Sequence, residues 1–387
     1  MKKLLAILLA ALLVTLTLLP AVSMAEDVEL VMGSWRNTDA PQVEALLKRY
    51  KEISGVTIRF EPTVSSQYNA TLRLQLDNGT GPDLFYSRSY ATGEELYNAG
   101  FNMICNDIPG VMENFTDASR EPFTAADGKV FAVPFAAVSQ PIYYNKTIFA
   151  ENGITELPKT WDEFIAVCEA VKADGKYTVL SAGAADQWPL NMFSNAILSA
   201  NYQDGAKEIG EKLLTGEMKH TDPEVMLVYN CMEQFASYLE PGVTGIAYSD
   251  APGRFAAGNM AMYADGSWSA PDILKANPDI DFGYFPLPGV KAREDGLDPQ
   301  YGIKYDLSFA VPTNAPNGDG AMAFLSYISQ KDVYTAFLNK IAGFSSTQPD
   351  VTLDNAFLNS LQSGLQKPCL NAEMYIYSPK GAGEYGS

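Results

Sequence analysis

The chain opens on an alternation that few folds can accommodate. "VELVM" (28–32) is a short apolar run of strand length. After the loop "GSWRNTDAP", Val43, Leu46, Leu47, Tyr50 and Ile53 recur at helical spacing. Asp39 is expected to cap that helix, with Gln42 completing a capping box and Gly55 ending it. "VTIRF", a helix over 68–76 and the run "DLFYS" then complete a strand–helix–strand–helix–strand series. Strands separated by helices pair through crossovers, so the series predicts an α/β fold with a mostly parallel, helix-covered sheet.

The same grammar returns later. "VFAVPFAAVSQPIYYN" carries strand-like runs. "TWDEFIAVCEAVKADGK" reads as a helix capped by Thr160 and ended by Gly175, with Trp161, Phe164, Ile165, Cys168 and Val171 on one face. Thr221 and Glu224 are expected to form a capping box before "VMLVYNCMEQFASYL". "MAMYA" reads as a strand, "DG" as a turn, and "SAPDIL" as a helix start capped by Ser269. "DFGYFPLPG" and "YDLSFAVP" read as strands, and "DGAMAFLSYISQKDVYTAFLNKI" as a long helical region. Short strands near 135–143 and 305–310 are the expected crossovers between two lobes.

Two lobes are also what chain length requires. Lys2 and Lys3, an apolar run over 4–19 and the small-x-small sequence "SMA" at 23–25 form an export signal, cleaved after Ala25. The remaining 362 of 387 residues exceed a single comfortable core. Glu26 follows the cleavage site, so no lipid-bearing cysteine is expected and the protein is placed in the periplasm or outside the cell. Loss of the two lysines takes the net charge from -19 to -21, which argues against nucleic-acid and anionic-membrane partners. Cys105, Cys168, Cys231 and Cys369 have no zinc-ligand spacing; Cys168 and Cys231 are expected to pack in the core.

Little in the chain suits catalysis. His220 is the sole histidine, which removes His-pair metal sites and weakens any Ser-His-Asp arrangement. There is no H-E-x-x-H, G-x-S-x-G or P-loop, and "GAGEYG" at 381–386 lacks the flanking strand and helix of a dinucleotide site. Some pair among 46 acidic residues would always suit a glycosidase, and Asp83 and Asp265 are expected to serve a strand entrance and a turn. A binding protein without enzymatic activity is expected.

The aromatics are more informative. Trp161 is expected to pack, but Trp35, Trp188 and Trp268 each sit on a loop or helix start beside Ser, Arg, Asn or Gln. Open α/β sheets bind ligands beyond the carboxyl ends of their strands, where "SWRN", "SRSY" and "DGSW" fall. A sugar presents an apolar C–H face to an aromatic ring and hydroxyls to planar polar side chains.

Taken together, "GTGPDLFYS", "VPFAAVSQPIYYNKTIFAENGI", "PKTWDEFIAVCEAVK", "FAAGNMAMYADGSWS" and "DFGYFPLPG" resemble the family 1 extracellular solute-binding proteins of ABC importers. The likeness runs from residue 30 to about 346 and is nearest the carbohydrate-binding branch that includes maltose-binding protein. It implies a type II periplasmic-binding-protein fold, two α/β lobes joined by crossover strands around a ligand cleft. Residues 26–137 with 309–342 would form one lobe, and 138–308 with 343–387 the other. It implies a monomer that captures a sugar by hinge closure and delivers it to a membrane permease, with no cofactor or metal.

Carried over by motif, Trp268 with Gly266 and Ser267 would stack on sugar, and Gln187 and Trp188 would supply a second contact. Trp35, Arg36, Ser87 and Arg88 match loops that donate hydrogen bonds; Ser139 lies by the hinge, and Tyr305 and Asp306 by the second crossover. The family usually carries more helices after the last crossover, so the final lobe is expected to be abbreviated or the sequence to be a fragment. The alternatives are the same fold binding a polyamine, metal, phosphoester or peptide, and a secreted glycoside hydrolase. Arg36 and Arg88 would suit an anionic ligand.

Overall fold

The computed structural model describes residues 29–359, apart from 187, 203–205, 292–298, 300, 342 and 357. The expected export signal, Gln187, Cys369 and the stretch 381–386 lie outside the described residues. Strands β1 (Glu29–Ser34), β2 (Thr57–Pro62) and β3 (Leu84–Tyr86) are parallel, connected by helices α1 (Ala40–Ser54) and α2 (Ser65–Asp77). Asp83 stands at the entrance to β3 as expected. Its carboxylate accepts from the backbone N–H of Val31 at 2.8 Å and of Asn317 at 2.9 Å.

Strand β4 (Val133–Asn145) organises the rest of the molecule, and it is buried almost throughout. Residues Val133 to Gln140 pair antiparallel with β8 (Gly302–Ala310). Pro141 to Asn145 pair instead with β7 (Phe282–Pro286), and Ile142 to Tyr144 with β6 (Met260–Ala264). The partner changes at Pro141, which has no N–H to give to a ladder and stands opposite Pro286. Strand β5 (Thr178–Ser181) adds parallel to β6, and β9 (Ser345–Ser346) pairs with Ala136 and Ala137 of β4. The path β2-β1-β3-β8-β4-β6-β5 thus runs through both lobes.

Each lobe has its own core. The first gathers β1, β3, β8, the first half of β4, and helices α3 (Tyr90–Asn98), α8 (Gly318–Ile328) and α9 (Lys331–Leu338). The second gathers Ile142 with α4 (Trp161–Asp174), α5 (Trp188–Asn201) and α6 (Pro223–Ala236). Helix α7 (Ala270–Ala276) buries Ile273 in a smaller cluster with Tyr143, Phe255 and Tyr263. Cys168 and Cys231 are buried free thiols of the second core, and burial pushes both up, Cys231 to about 11.

Val138, Ile303, Tyr305 and Leu307 belong to the first core, so the divisions at 137/138 and 308/309 fall inside continuous strands. Phe344, Val351, Leu353 and Leu358 also pack into the first core, although 343–387 was expected in the second lobe. Tyr334 fixes that segment: its hydroxyl donates to the Phe135 carbonyl at 2.7 Å and accepts from the Thr347 N–H at 2.8 Å. Its ring lies edge-on to Phe135 at 4.8 Å, a contact contributing about 0.5–1.5 kcal/mol beyond area burial.

Helix ends show where local signals yield to tertiary ones. Thr160 and Glu163 form a full capping box on α4, and Gly175 ends that helix in the left-handed region. Asp39 precedes α1 but caps nothing with its side chain, because Arg36 and Thr38 occupy its oxygens; Gln42 Oε1 is left buried with no hydrogen-bond partner among the described residues. The cap of α6 is Asp222, not Thr221, with Pro223 in the first turn. The long helical region divides at Ser329 and Gln330 into α8 and α9.

Candidate functional site

The carboxyl ends of β1 and β3 build one wall. After β1, Ser34 Oγ accepts the Arg36 N–H at 2.8 Å, which turns the chain. The Arg36 guanidinium then grips Asp39 through Nε and Nη2, both at 2.7 Å, a charge-assisted fork. Burial pulls the Arg36 pKa down, but Asp39 and then Asp306 outweigh it and the net shift is upward. Beneath the guanidinium lies the Phe344 ring, 4.6 Å away.

Trp35, expected on a ligand-facing loop, has its ring packed on three sides. Its ring meets Tyr68 and Tyr86 edge-on at 5.5 Å each, and the Arg88 guanidinium covers it at 3.8 Å. Only 7% of the residue is exposed, so Trp35 supports Arg88. Arg88 also donates from Nε to Asn69 Oδ1 at 3.2 Å. Ser87 is buried and spends its backbone on Ser308: its N–H donates to the Ser308 carbonyl at 3.0 Å, and Ser308 Oγ returns to the Ser87 carbonyl at 2.9 Å.

Strand alternation separates Tyr305 from Asp306. Tyr305 is buried in the first core, and burial raises its phenol pKa. Asp306 lies 3.4 Å from Lys304 Nζ. Burial pushes its carboxyl up, yet Lys304, Arg88 and Arg36 together hold it below the ordinary value. Arg36, Arg88, Lys304 and Asp306 are therefore one electrostatic group.

The ends of β5 and β6 build the other wall. Trp268 folds back over Gly266 so closely that a Cβ at 266 would stand 2.1 Å from the indole. The indole Nε1–H donates to the Tyr248 hydroxyl. Trp188, at the start of α5 and 41% exposed, lies with its ring 4.5 Å from Tyr248 and 6.3 Å from Trp268. The three rings form a continuous aromatic surface.

Behind it sits Asp265, expected to serve only the turn. It does accept the Gly266 N–H at 2.7 Å, but it also accepts from Tyr248 at 3.3 Å and from the hydroxyls of Tyr263 and Ser269. Ser269 is thereby drawn from its expected cap on α7, where it makes no side-chain cap bond. Burial pushes the Asp265 carboxyl up to about 6, with the Tyr248, Tyr263 and Tyr143 phenols facing it. A folded-state pKa above the unfolded one means stability present at low pH and lost as pH rises through about 6. Wild type is expected to lose about 1–2 kcal/mol more than Asp265→Asn between pH 5 and 7, at about 1.36 kcal/mol per unit. Urea unfolding at both pH values tests this, and equal slopes for the two proteins would refute it.

A short stretch joins the walls. Ser267 Oγ donates to the Gly343 carbonyl at 2.5 Å and accepts the Ser139 N–H at 3.1 Å, tying β6's loop to β4 just before its switch of partner. Ser139 Oγ is buried with no hydrogen-bond partner among the described residues. Gly343 presses on the Trp268 backbone, its neighbour Phe344 lies under Arg36, and Trp268 packs against both cores. The structure thus brings together Trp188 with Trp268, Gly266 and Ser267 with Ser139, and Arg36 with Arg88 and Asp306. Tyr248 and the 343–344 pair carry no local signal in the sequence. Among the described residues no group of three His, Cys, Asp or Glu side chains is placed to hold a metal.

Comparison with known proteins gives a consistent result. The family model described as "Bacterial extracellular solute-binding protein" matches residues 35–335. An uncharacterised ABC transporter extracellular-binding protein of Pyrococcus horikoshii is 26% identical over 68% of this chain and 61% of its own length. The "Multiple sugar-binding protein" of Streptococcus mutans is 30% identical over 52% of this chain and 47% of its own. The chain therefore spans less than two thirds of either relative. Among solved structures, a chitin oligosaccharide binding protein superposes with a TM-score of 0.75 at 24% identity, covering 94% of this chain and 93% of the other. The solute-binding protein RafE, in complex with raffinose, gives 0.75 at 21% identity, covering 93% and 94%.

Proposed function

The chain belongs to the bacterial extracellular solute-binding protein family, and from that premise we propose that it is the exported receptor of an ABC importer, binding a sugar or oligosaccharide between its lobes and delivering it to a membrane permease. The observation that carries this reading is the aromatic surface of Trp188, Tyr248 and Trp268. Such a surface takes the C–H face of a pyranose, while Arg88, Asp306 and Lys304 suit its hydroxyls. The sugar ligands named for the Streptococcus mutans relative and for RafE support the same class.

Several features favour a neutral ligand. Arg36 is neutralised by Asp39 and Asp306 sits among Arg88 and Lys304, so the charges are largely compensated inside the protein. Asp265 accepts from four neutral donors and holds the aromatic wall, a role in binding and not in proton transfer. The protein acts as a monomer in the periplasm or outside the cell. Strands β4 and β8 bend as the lobes close, and the sugar shifts that equilibrium by its greater affinity for the closed form.

A thermal-shift panel of neutral sugars, acidic sugars, polyamines and peptides tests the reading. A ligand at 100 times its dissociation constant is expected to stabilise by about 2.7 kcal/mol, a rise of several degrees. Stabilisation by a non-sugar solute alone would overturn it, as would turnover of an oligosaccharide.

A further inference from the structure

We propose that Tyr248 is a positioning residue that fixes the plane of the Trp268 indole for its ligand, relaying the orientation of the buried Asp265 carboxylate. The inference rests on the binding role assigned above to the aromatic wall. An ionised carboxylate only accepts hydrogen bonds and an indole N–H only donates, while a phenol does both. The order of the chain is therefore forced: the Trp268 N–H donates to the Tyr248 oxygen, and the Tyr248 O–H donates to Asp265 Oδ1. Asp265 is itself held by the Gly266 N–H and by the Tyr263 and Ser269 hydroxyls, so the chain ends on a fixed point.

Tyr248 is well placed for this task because three elements immobilise it. Its backbone N–H donates to Asp186 Oδ2 at 2.8 Å, in the turn before Trp188. Gly183 lies against it so closely that a Cβ there would stand 2.5 Å from the Tyr248 Cα. Its ring contacts Trp188 at 4.5 Å. One phenol thereby couples both tryptophans to the loops after β5 and β6. A stacking ring gains from being held at the correct tilt before the ligand arrives.

The test uses Tyr248→Phe, which keeps the ring and removes the hydroxyl. In the ligand-free full chain, the Trp268 indole N–H signal, assigned by NMR with Trp268→Phe, is expected to move and to exchange with solvent at least tenfold faster. The Trp161 indole signal, whose N–H donates to Gln234, is the control and stays in place. With raffinose and diacetylchitobiose as probe sugars, Tyr248→Phe is expected to weaken binding about tenfold in the wild-type background and less than twofold in Trp268→Phe. An unchanged Trp268 signal would overturn the proposal, and so would additive effects of the two substitutions. If neither probe sugar binds, the assigned function is judged by the wider thermal-shift panel, and the NMR measurement still decides whether Tyr248 orients the ring.

Discussion

Gly343→Ala is expected to destabilise the protein by about 2–5 kcal/mol. Gly343 has φ of +79°, a left-handed conformation that costs an L-residue about 1–2 kcal/mol. The added Cβ would also stand 2.2 Å from Trp268 Cα, 2.5 Å from Trp268 N and 2.6 Å from the Ser267 carbonyl oxygen. These are backbone atoms, so no rotamer change relieves the contact. Either the 343–344 pair or the Trp268 turn must move, which breaks the Ser267–Gly343 bond and adds an overpacking cost of about 1–3 kcal/mol. Gly55→Ala is the control. Its φ is +77° but nothing lies within 4 Å of the new atom, so about 1–2 kcal/mol is expected. Urea unfolding of both variants decides the matter; equal midpoints would show that the contact with Trp268 carries no energy.

Trp268→Ala is expected to weaken sugar binding about 30- to 1000-fold, the 2–4 kcal/mol typical of a central aromatic contact. The indole is backed by Gly266, bonded to Tyr248 and flanked by Trp188, so its truncation removes the middle of the aromatic surface. It also packs against both cores, and some loss of stability accompanies the loss of affinity. Calorimetric titration well below the unfolding temperature separates the two effects. A dissociation constant within threefold of wild type would remove Trp268 from the binding surface and leave it a packing residue.

The parts of this molecule legible in the sequence are those set by neighbours in the chain. The strands β1, β2, β3, β6 and β7 and the helices α1, α2 and α4 follow from apolar periodicity, which reports burial directly. The Thr160 cap was readable because Glu163, its partner, is three residues away. The caps expected at Asp39 and Ser269 fail because Arg36 and Asp265 claim those side chains. The loops bearing Trp188 and Trp268 could be located from strand ends. The burial of Trp35 could not, since its covering comes from Tyr68, Tyr86 and Arg88 on separate elements. Gly343 looks like any loop glycine until the fold sets it against the turn at Ser267, 76 residues earlier.

The position of β8 between β3 and β4 has a consequence for the order in which the molecule assembles. The sheet of the second lobe draws on residues from Pro141 to Pro286, a continuous stretch that can pair as soon as it is complete. The first sheet cannot close until β8 arrives, because Phe85 pairs with Ala310 and, among the described residues, the edge of β3 away from β1 has no other partner. The amino-terminal third of the chain thus waits for a strand made long after it, and pairings of such sequence separation form slowly.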